Sequence, residues 1–251
     1  MFFERNFKVD FICVGVQKAG TSALDAYFRQ HSGINMPRIK ETHFFDNDKY
    51  FTDKPDYSQY HNSFDITQRR LLNGEVTPSY IYWENSIQRI YEYNHRMKII
   101  VILRNPIERA FSNWNMEVMR GNETRLFMDC VLDGLSNLLK LNKSNNLYHS
   151  YLERGFYKNQ VEKLYEFFPD KQIHFVKYEN FVKNQKDQMD RIFNFLRLNP
   201  SLFKYNEVVK NKIQYSENIS LEAKKMLGRL YSNDIQYVEN VLGWDCNDWK
   251  I

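Results

Sequence analysis

The chain reads as an α/β protein, a central parallel sheet flanked by helices. Strand-like and helix-like patterns alternate along its length, Ile99 to Leu103 forms a clear buried strand, and two strand-like runs end at turns that open helices. The first strand is expected at Asp10–Val16, where Phe11 to Val16 is short, β-branched and closed by Lys and Gly. Further strands are expected at Glu75–Thr77, Lys98–Leu103 and Gln172–Lys177. Ala23, Leu24, Tyr27 and Phe28 recur at helical spacing, so a helix is expected over Ser22–His31. Others follow at Glu84–Tyr93, Pro106–Arg120, Arg125–Lys140, Tyr157–Phe167, Asn180–Leu196 and Leu221–Val241, the last broken near Ser232. Tyr50 to Phe64, polar and aromatic without clear periodicity, reads as a long surface loop suited to acceptor contacts.

With 251 residues, no internal repeat and no Gly/Ser/Pro-rich linker, residues 1–251 are expected to form a single domain. Hydrophobic residues at 43% and aromatics at 16% supply a substantial core. The formal charge of +4, from 35 basic and 31 acidic residues, is too mild for a nucleic-acid protein but suits an anion held by a local basic cluster. Cys13, Cys130 and Cys246 are odd in number and far apart, so neither a disulfide framework nor a metal site is expected; Cys13 reads as a small core residue. No apolar run approaches the ~20 residues of a membrane span, and Met-Phe-Phe-Glu-Arg-Asn lacks a signal-peptide core. A reducing, cytoplasmic setting is therefore expected, with the Golgi lumen as the alternative if the sequence is a piece of a longer chain. Asn122-Glu-Thr, Asn142-Lys-Ser and Asn218-Ile-Ser read as chance sequons in an Asn-rich chain.

Between the first strand and the first helix lies Gln17-Lys-Ala-Gly-Thr-Ser22. Such a turn offers unpaired backbone N–H groups, the positive end of a helix dipole, two hydroxyls and an ammonium, the donors that a phosphate-like anion needs. An ATP-binding P-loop carries its Lys directly after the second glycine. Here Lys18 precedes Gly20, which argues against that motif.

A second turn, after Ile99–Leu103, repeats the idea. Asn105 suits an N-cap, Pro106 the first helical position, and Glu108 the return arm of a capping box. Arg104 thus falls at the carboxyl end of a strand beside a helix N-terminus, where open α/β sheets bind ligands, with Ser112 two turns on. Arg104 read alone also suits a salt bridge to Glu108 or another carboxylate, and Arg109 reads as a solvated helix-face residue. In Arg38-Ile-Lys-Glu-Thr-His-Phe-Phe-Asp46, the titratable Lys40, Glu41, His43 and Asp46 bracket Phe44 and Phe45. A carboxylate beside aromatic rings gains basicity through desolvation, whereas a neighbouring Lys lowers it.

The turn at 17–22 resembles the 5′-phosphosulfate loop of sulfotransferases that use 3′-phosphoadenosine 5′-phosphosulfate (PAPS). Arg104-Asn-Pro-Ile-Glu-Arg-Ala-Phe-Ser112 looks like the 3′-phosphate motif of that family, and Lys40–Asp46 resembles the Lys-Glu-x-His-Phe-Phe-Asp segment of its heparan sulfate members. The resemblance spans about residues 9 to 250. It implies the P-loop-NTPase-like sulfotransferase fold, PAPS as cosubstrate and no metal. Gln17, Lys18, Ala19, Gly20, Thr21 and Ser22 would hold the 5′-phosphate, and Arg104 and Ser112 the 3′-phosphate. Arg154-Gly-Phe-Tyr157 is similar to a segment bordering the 3′-phosphate, and Lys210 and Lys212 occupy the place of a basic loop over the nucleotide. Glu41 would be the general base, with Lys18 on the leaving group and His43 a helper. Lys40, His43, Asp46 and Tyr80 would meet a small-molecule or glycan acceptor. His43 as base is the alternative. Gly74-Glu-Val-Thr-Pro-Ser-Tyr80 is similar to Gly-Glu-Lys-Thr/Ser-Pro-x-Tyr but carries Val76 in place of the Lys, and Gly243-Trp-Asp resembles a closing structural pattern. Two rival readings remain at this level: a nucleotide kinase-like phosphotransferase, which lacks its Walker loop here, and a non-catalytic anionic-glycan binding module.

Overall fold

The central strands form because their sequences carry almost nothing but apolar, mostly branched side chains. In the computed structural model, which describes residues 7–68, 70–139, 150–208 and 218–251, β1 (Phe11–Gly15) is buried along its whole length. The other strands are β2 (Ile34–Asn35), β3 (Leu72–Val76), β4 (Lys98–Leu103) and β5 (Ile173–Lys177). They pair in parallel in the order β2-β3-β1-β4-β5. Near-continuous apolar runs such as Ile99–Leu103 suit strands covered on both faces. Phe11 lies opposite Gly74 on β3, and a Cβ at Gly74 would sit 2.0 Å from the Phe11 ring, which accounts for the glycine. Connections leave β1 and β4 toward opposite sides of the sheet, so the carboxyl ends of these neighbours form its switch point.

The helices are α1 (Thr21–Phe28), α2 (Ser58–His61), α3 (Ser86–Tyr93), α4 (Pro106–Met119), α5 (Phe127–Leu139), α6 (Tyr157–Phe167), α7 (Tyr178–Lys183), α8 (Gln185–Leu196) and α9 (Leu221–Leu242). The chain divides into two units: Met1–Leu103 with Lys163–Asn211, which holds the sheet, and Arg104–Glu162 with Lys212–Ile251. Within the second unit, Asn105 Oδ1 accepts from Ile107 N at 3.0 Å and Pro106 opens α4, as its cap chemistry predicts. The Glu108 carboxylate lies 3.9 Å from Lys224 Nζ on α9.

Several expectations need correction. α9 runs unbroken through Ser232, whose hydroxyl donates to the Arg229 carbonyl at 2.9 Å while Ala223, Leu227, Tyr231, Ile235 and Val238 keep one buried stripe. The helix expected over Asn180–Leu196 is two helices, divided at Asn184, whose Oδ1 accepts from Asp187 N at 3.2 Å and caps α8. Tyr50–Phe64 is not a bare surface loop: it contains α2, and Tyr60 and Phe64 are buried. The β2 strand was not foreseen, since two residues carry no periodicity. Lys140, Asn142, Lys210 and Lys212 lie outside the described residues.

Candidate active site

The turn after β1 is built from backbone first. Val16 N donates to Ile102 O on β4 at 2.8 Å, tying the start of the turn to the sheet. Lys18 then adopts φ +72 and Gly20 φ +87, both left-handed. Gly20 can do so freely; Lys18 cannot, and a strained non-glycine residue persists only where its surroundings determine it. Gly20 is also the N-cap of α1 and supplies no side-chain cap. Ala23 N and Leu24 N both reach back to Gly20 O, so the amides of Gly20, Thr21 and Ser22 precede the first helical bonds. Ala19 is fully buried beneath the turn, while Lys18 and Gln17 are half-buried, with Gln17 Oε1 buried and unpartnered. A Cβ on Gly20 would come 3.1 Å from the Tyr178 ring, a tight approach that adds to the conformational reason for glycine. These donors, with the Lys18 ammonium, fit an anionic phosphate.

The segment from Lys40 to Asp46 is a second strained stretch of the same unit. Glu41 has φ +63 and His43 φ +50. Lys40 Nζ pairs with Glu41 Oε1, and His43 Nε2 stands 3.5 Å from Glu41 Oε2. The other ring nitrogen, Nδ1, lies 2.9 Å from Asp46 Oδ2, which also accepts from Ser79 Oγ at 2.5 Å. Burial pushes the Glu41 carboxyl up, but His43 and Lys40 outweigh it and hold it down to about 2. The contest between aromatic desolvation and neighbouring cations thus goes to the cations. Hydrogen bonds to Asp46 and Glu41 raise His43 to about 10 against the opposing effect of burial. The pair is therefore carboxylate and imidazolium at neutral pH. Glu41 is 34% and His43 52% exposed, so both side chains remain reachable. Phe44 and Phe45 turn inward instead, packing with Tyr60 at ring distances of 5.1 Å.

Beneath this segment sits Glu75 on β3, fully buried, a residue that motif reading did not single out for a role. It accepts from Thr42 Oγ1 at 2.5 Å, Thr77 Oγ1 at 2.6 Å, the Tyr80 hydroxyl at 2.9 Å and the Tyr60 hydroxyl. Tyr80, expected to line a cleft, is itself fully buried and receives Phe44 N at 3.0 Å. Its place in the structure is that of a packing and hydrogen-bonding residue. Ser79 and Thr42 were also missed. The available signal was an acidic residue inside an otherwise buried strand, Leu-Asn-Gly-Glu-Val. Val76 is buried and presents no polar atom from its side chain.

In the second unit Arg104 is half-buried and directly follows β4 in the chain. Its carbonyl accepts the Tyr157 hydroxyl at 2.6 Å, so Tyr157, fully buried, supports that backbone. Ser112 is buried on α4. Arg109 corrects the solvated expectation: it is fully buried, donating to Asn113 Oδ1 at 3.3 Å and to the Tyr151 carbonyl, with Nε unpartnered. Burial lowers its pKa, with Tyr157 and Tyr231 acting in the opposite sense. Arg154 is buried and donates to Ser150 Oγ at 2.7 Å, while a Cβ on Gly155 would strike the Tyr231 ring at 2.7 Å. Among the described residues no cluster of His, Cys, Asp and Glu is arranged to hold a metal ion.

The chain belongs to the sulfotransferase domain family, which it matches over residues 8–239. It is 27% identical to mouse heparan sulfate glucosamine 3-O-sulfotransferase 5 over 195 residues, 78% of this chain and 55% of that protein. It is also 31% identical to the membrane-associated sulfotransferase kil1 of Dictyostelium discoideum over 109 residues, 43% of this chain and 23% of that one. The chain thus spans about half the length of the heparan sulfate relatives it matches. The crystal structure of a sulfotransferase from Alicyclobacillus acidocaldarius superposes with a TM-score of 0.81 and 24% identity, covering 97% of this chain and 99% of that one. The expected fold, a parallel sheet with flanking helices of the sulfotransferase type, is the fold observed. Among the described residues no helix is long and apolar enough to cross a membrane.

Proposed function

We propose that residues 1–251 act as one catalytic domain transferring a sulfuryl group from PAPS to a hydroxyl or amine of an acceptor, most simply a carbohydrate. The supporting observation is the β1–α1 turn, where a lysine is held at φ +72 at the head of a helix in a chain of this family. The acceptor class is suggested by the heparan sulfate relatives and by Lys40–Asp46.

In this reading the acceptor oxygen or nitrogen attacks sulfur as the bond from sulfur to the donor's phosphate oxygen breaks. Lys18 neutralises charge growing on that oxygen, and the amides and hydroxyls of Gly20, Thr21 and Ser22, with Gln17 and Ala19 shaping the turn, hold the 5′-phosphate. Arg104 and Ser112 take the ribose 3′-phosphate, with Tyr157 steadying the Arg104 backbone. Lys210 and Lys212 are proposed as further nucleotide contacts. The acceptor proton passes to Glu41, which is ionised throughout the neutral range. His43, held as an imidazolium, is thereby poorly suited as the base, and with Lys40 and Asp46 it orients the acceptor. Positioning and charge neutralisation carry such in-line transfers, by analogy with phosphoryl transfer, and no metal is invoked. A reducing, cytoplasmic setting belongs to the same proposal and is supported by Cys13 and Cys130 being buried free thiols.

A thermal-shift comparison of 3′-phosphoadenosine 5′-phosphate (PAP), ATP and heparin fragments tests the donor. Stabilisation by PAP is expected, with or without a further shift from heparin fragments; stabilisation by ATP or heparin but not by PAP would overturn the reading. Mass spectrometry of a glycan library incubated with PAPS then identifies the acceptor.

A further inference from the structure

We propose that Glu75 is the positioning residue of this site: its buried carboxylate, acting through Thr42 and Tyr80, fixes the backbone that carries Glu41 and His43. The catalytic part of this inference rests on the sulfotransferase reading above.

Glu75 is fully buried, and its hydrogen-bond partners among the described residues are all hydroxyls, those of Thr42, Tyr60, Thr77 and Tyr80. Removing a carboxylate from water without a cation beside it is costly, and a hydrophobic side chain of similar volume would pack there more cheaply. What the acid provides is geometry. Thr42 lies between Glu41 at φ +63 and His43 at φ +50, two residues in a backbone conformation that side chains other than glycine avoid. Such strain lasts only where surrounding bonds over-determine it. Here Thr42 Oγ1 is bound to Glu75 Oε1 at 2.5 Å, and the same oxygen receives Tyr80. The Tyr80 oxygen in turn accepts Phe44 N at 3.0 Å and Phe45 N at 3.4 Å. One carboxylate therefore gathers the chain on both sides of His43. Loosening it lets the segment relax and draws His43 away from the groups that face it: Glu41 with its Lys40 partner, Asp46, and the Ser79 hydroxyl at 3.4 Å.

The test uses the full chain with Thr42→Val, Thr42→Ser and Glu75→Gln. His43 ring protons are followed by NMR against pH, assigned by their loss in His43→Gln. In the wild type and Thr42→Ser, His43 should stay protonated to about 10. In Thr42→Val and Glu75→Gln its midpoint should fall toward the ordinary value of about 6.5. The same two variants should lose on the order of 10²-fold in kcat, the cost of a small misplacement of reacting groups, with PAP affinity by calorimetry unchanged. A Thr42→Val protein with wild-type midpoint and wild-type kcat overturns the proposal. That substitution is isosteric at a half-buried position, so it decides the matter even where Glu75→Gln does not fold. A wild-type chain that binds no PAP, yet shows the expected His43 shifts, refutes the sulfotransferase reading and leaves the positioning role standing.

Discussion

Lys18 combines a left-handed backbone with the chemical role proposed for it, and two substitutions separate the parts. Lys18→Ala removes the ammonium but leaves a Cβ at φ +72; Lys18→Gly removes both. The left-handed conformation costs an L residue roughly 1–2 kcal/mol. Glycine's greater freedom in the unfolded chain returns about 0.4–1 kcal/mol of that. Lys18→Gly is therefore expected to be more stable than Lys18→Ala by about 0.5–1 kcal/mol, or roughly 1–4 °C in Tm for a chain of this size. Both variants lose every side-chain contact beyond Cβ, so their difference reports the backbone conformation and the single Cβ methyl. Both should also lose turnover by roughly 10²–10³, the cost of one charge-stabilising donor. Urea denaturation and thermal melts measure the first quantity, and sulfate transfer from PAPS to a glycan acceptor the second. A glycine variant no more stable than the alanine variant refutes the strain argument. Wild-type turnover in either variant removes Lys18 from the reaction.

Glu41→Gln should reduce turnover by about 10²–10⁴ with PAP affinity nearly intact; a variant that binds PAP poorly but turns over normally counts against Glu41 as base. Arg104→Ala should weaken PAP binding by ~1.5–3 kcal/mol, the range for a hydrogen bond to a charged group, and unchanged calorimetric affinity would refute its 3′-phosphate role. The pH profile distinguishes the two candidate bases. With Glu41 held at about 2 and His43 raised to about 10, a Glu41 base predicts a level kcat/KM between those values. A neutral His43 base instead predicts a rate rising about tenfold per pH unit across the neutral range, and that slope would decide for histidine. Stability follows the same groups. The contribution of the His43 contacts is complete below its ordinary 6.5 and is lost as pH rises through about 10. That of Glu41 is complete above its ordinary 4.5 and is lost as pH falls through about 2, which pH-dependent melts would follow.

Local chemistry made much of this protein legible from its residues. The parallel α/β sheet follows from runs such as Ile99–Leu103, and the α4 start from Asn105-Pro106, because both are short-range consequences of burial and capping. The position of the β1–α1 turn, with Gly20 at the head of a helix, was readable because glycine and lysine at fixed offsets after a buried strand have few other uses. The α7–α8 division was also present locally, in the capping preference of Asn184, though helical periodicity masked it. Burial is a different matter, since it depends on what the rest of the chain places around a residue. Arg109 and Tyr80 look like surface or cleft residues along the chain, and only packing shows both to be wholly interior. Likewise Lys40, Glu41, His43 and Asp46 were visible as a cluster, but the sequence could not choose between desolvation and ion pairing. Distances of a few ångströms decide that contest, and those are set by Glu75 and Tyr80, far along the chain, whose hydroxyl and carboxylate contacts exist only once β3 has joined the sheet.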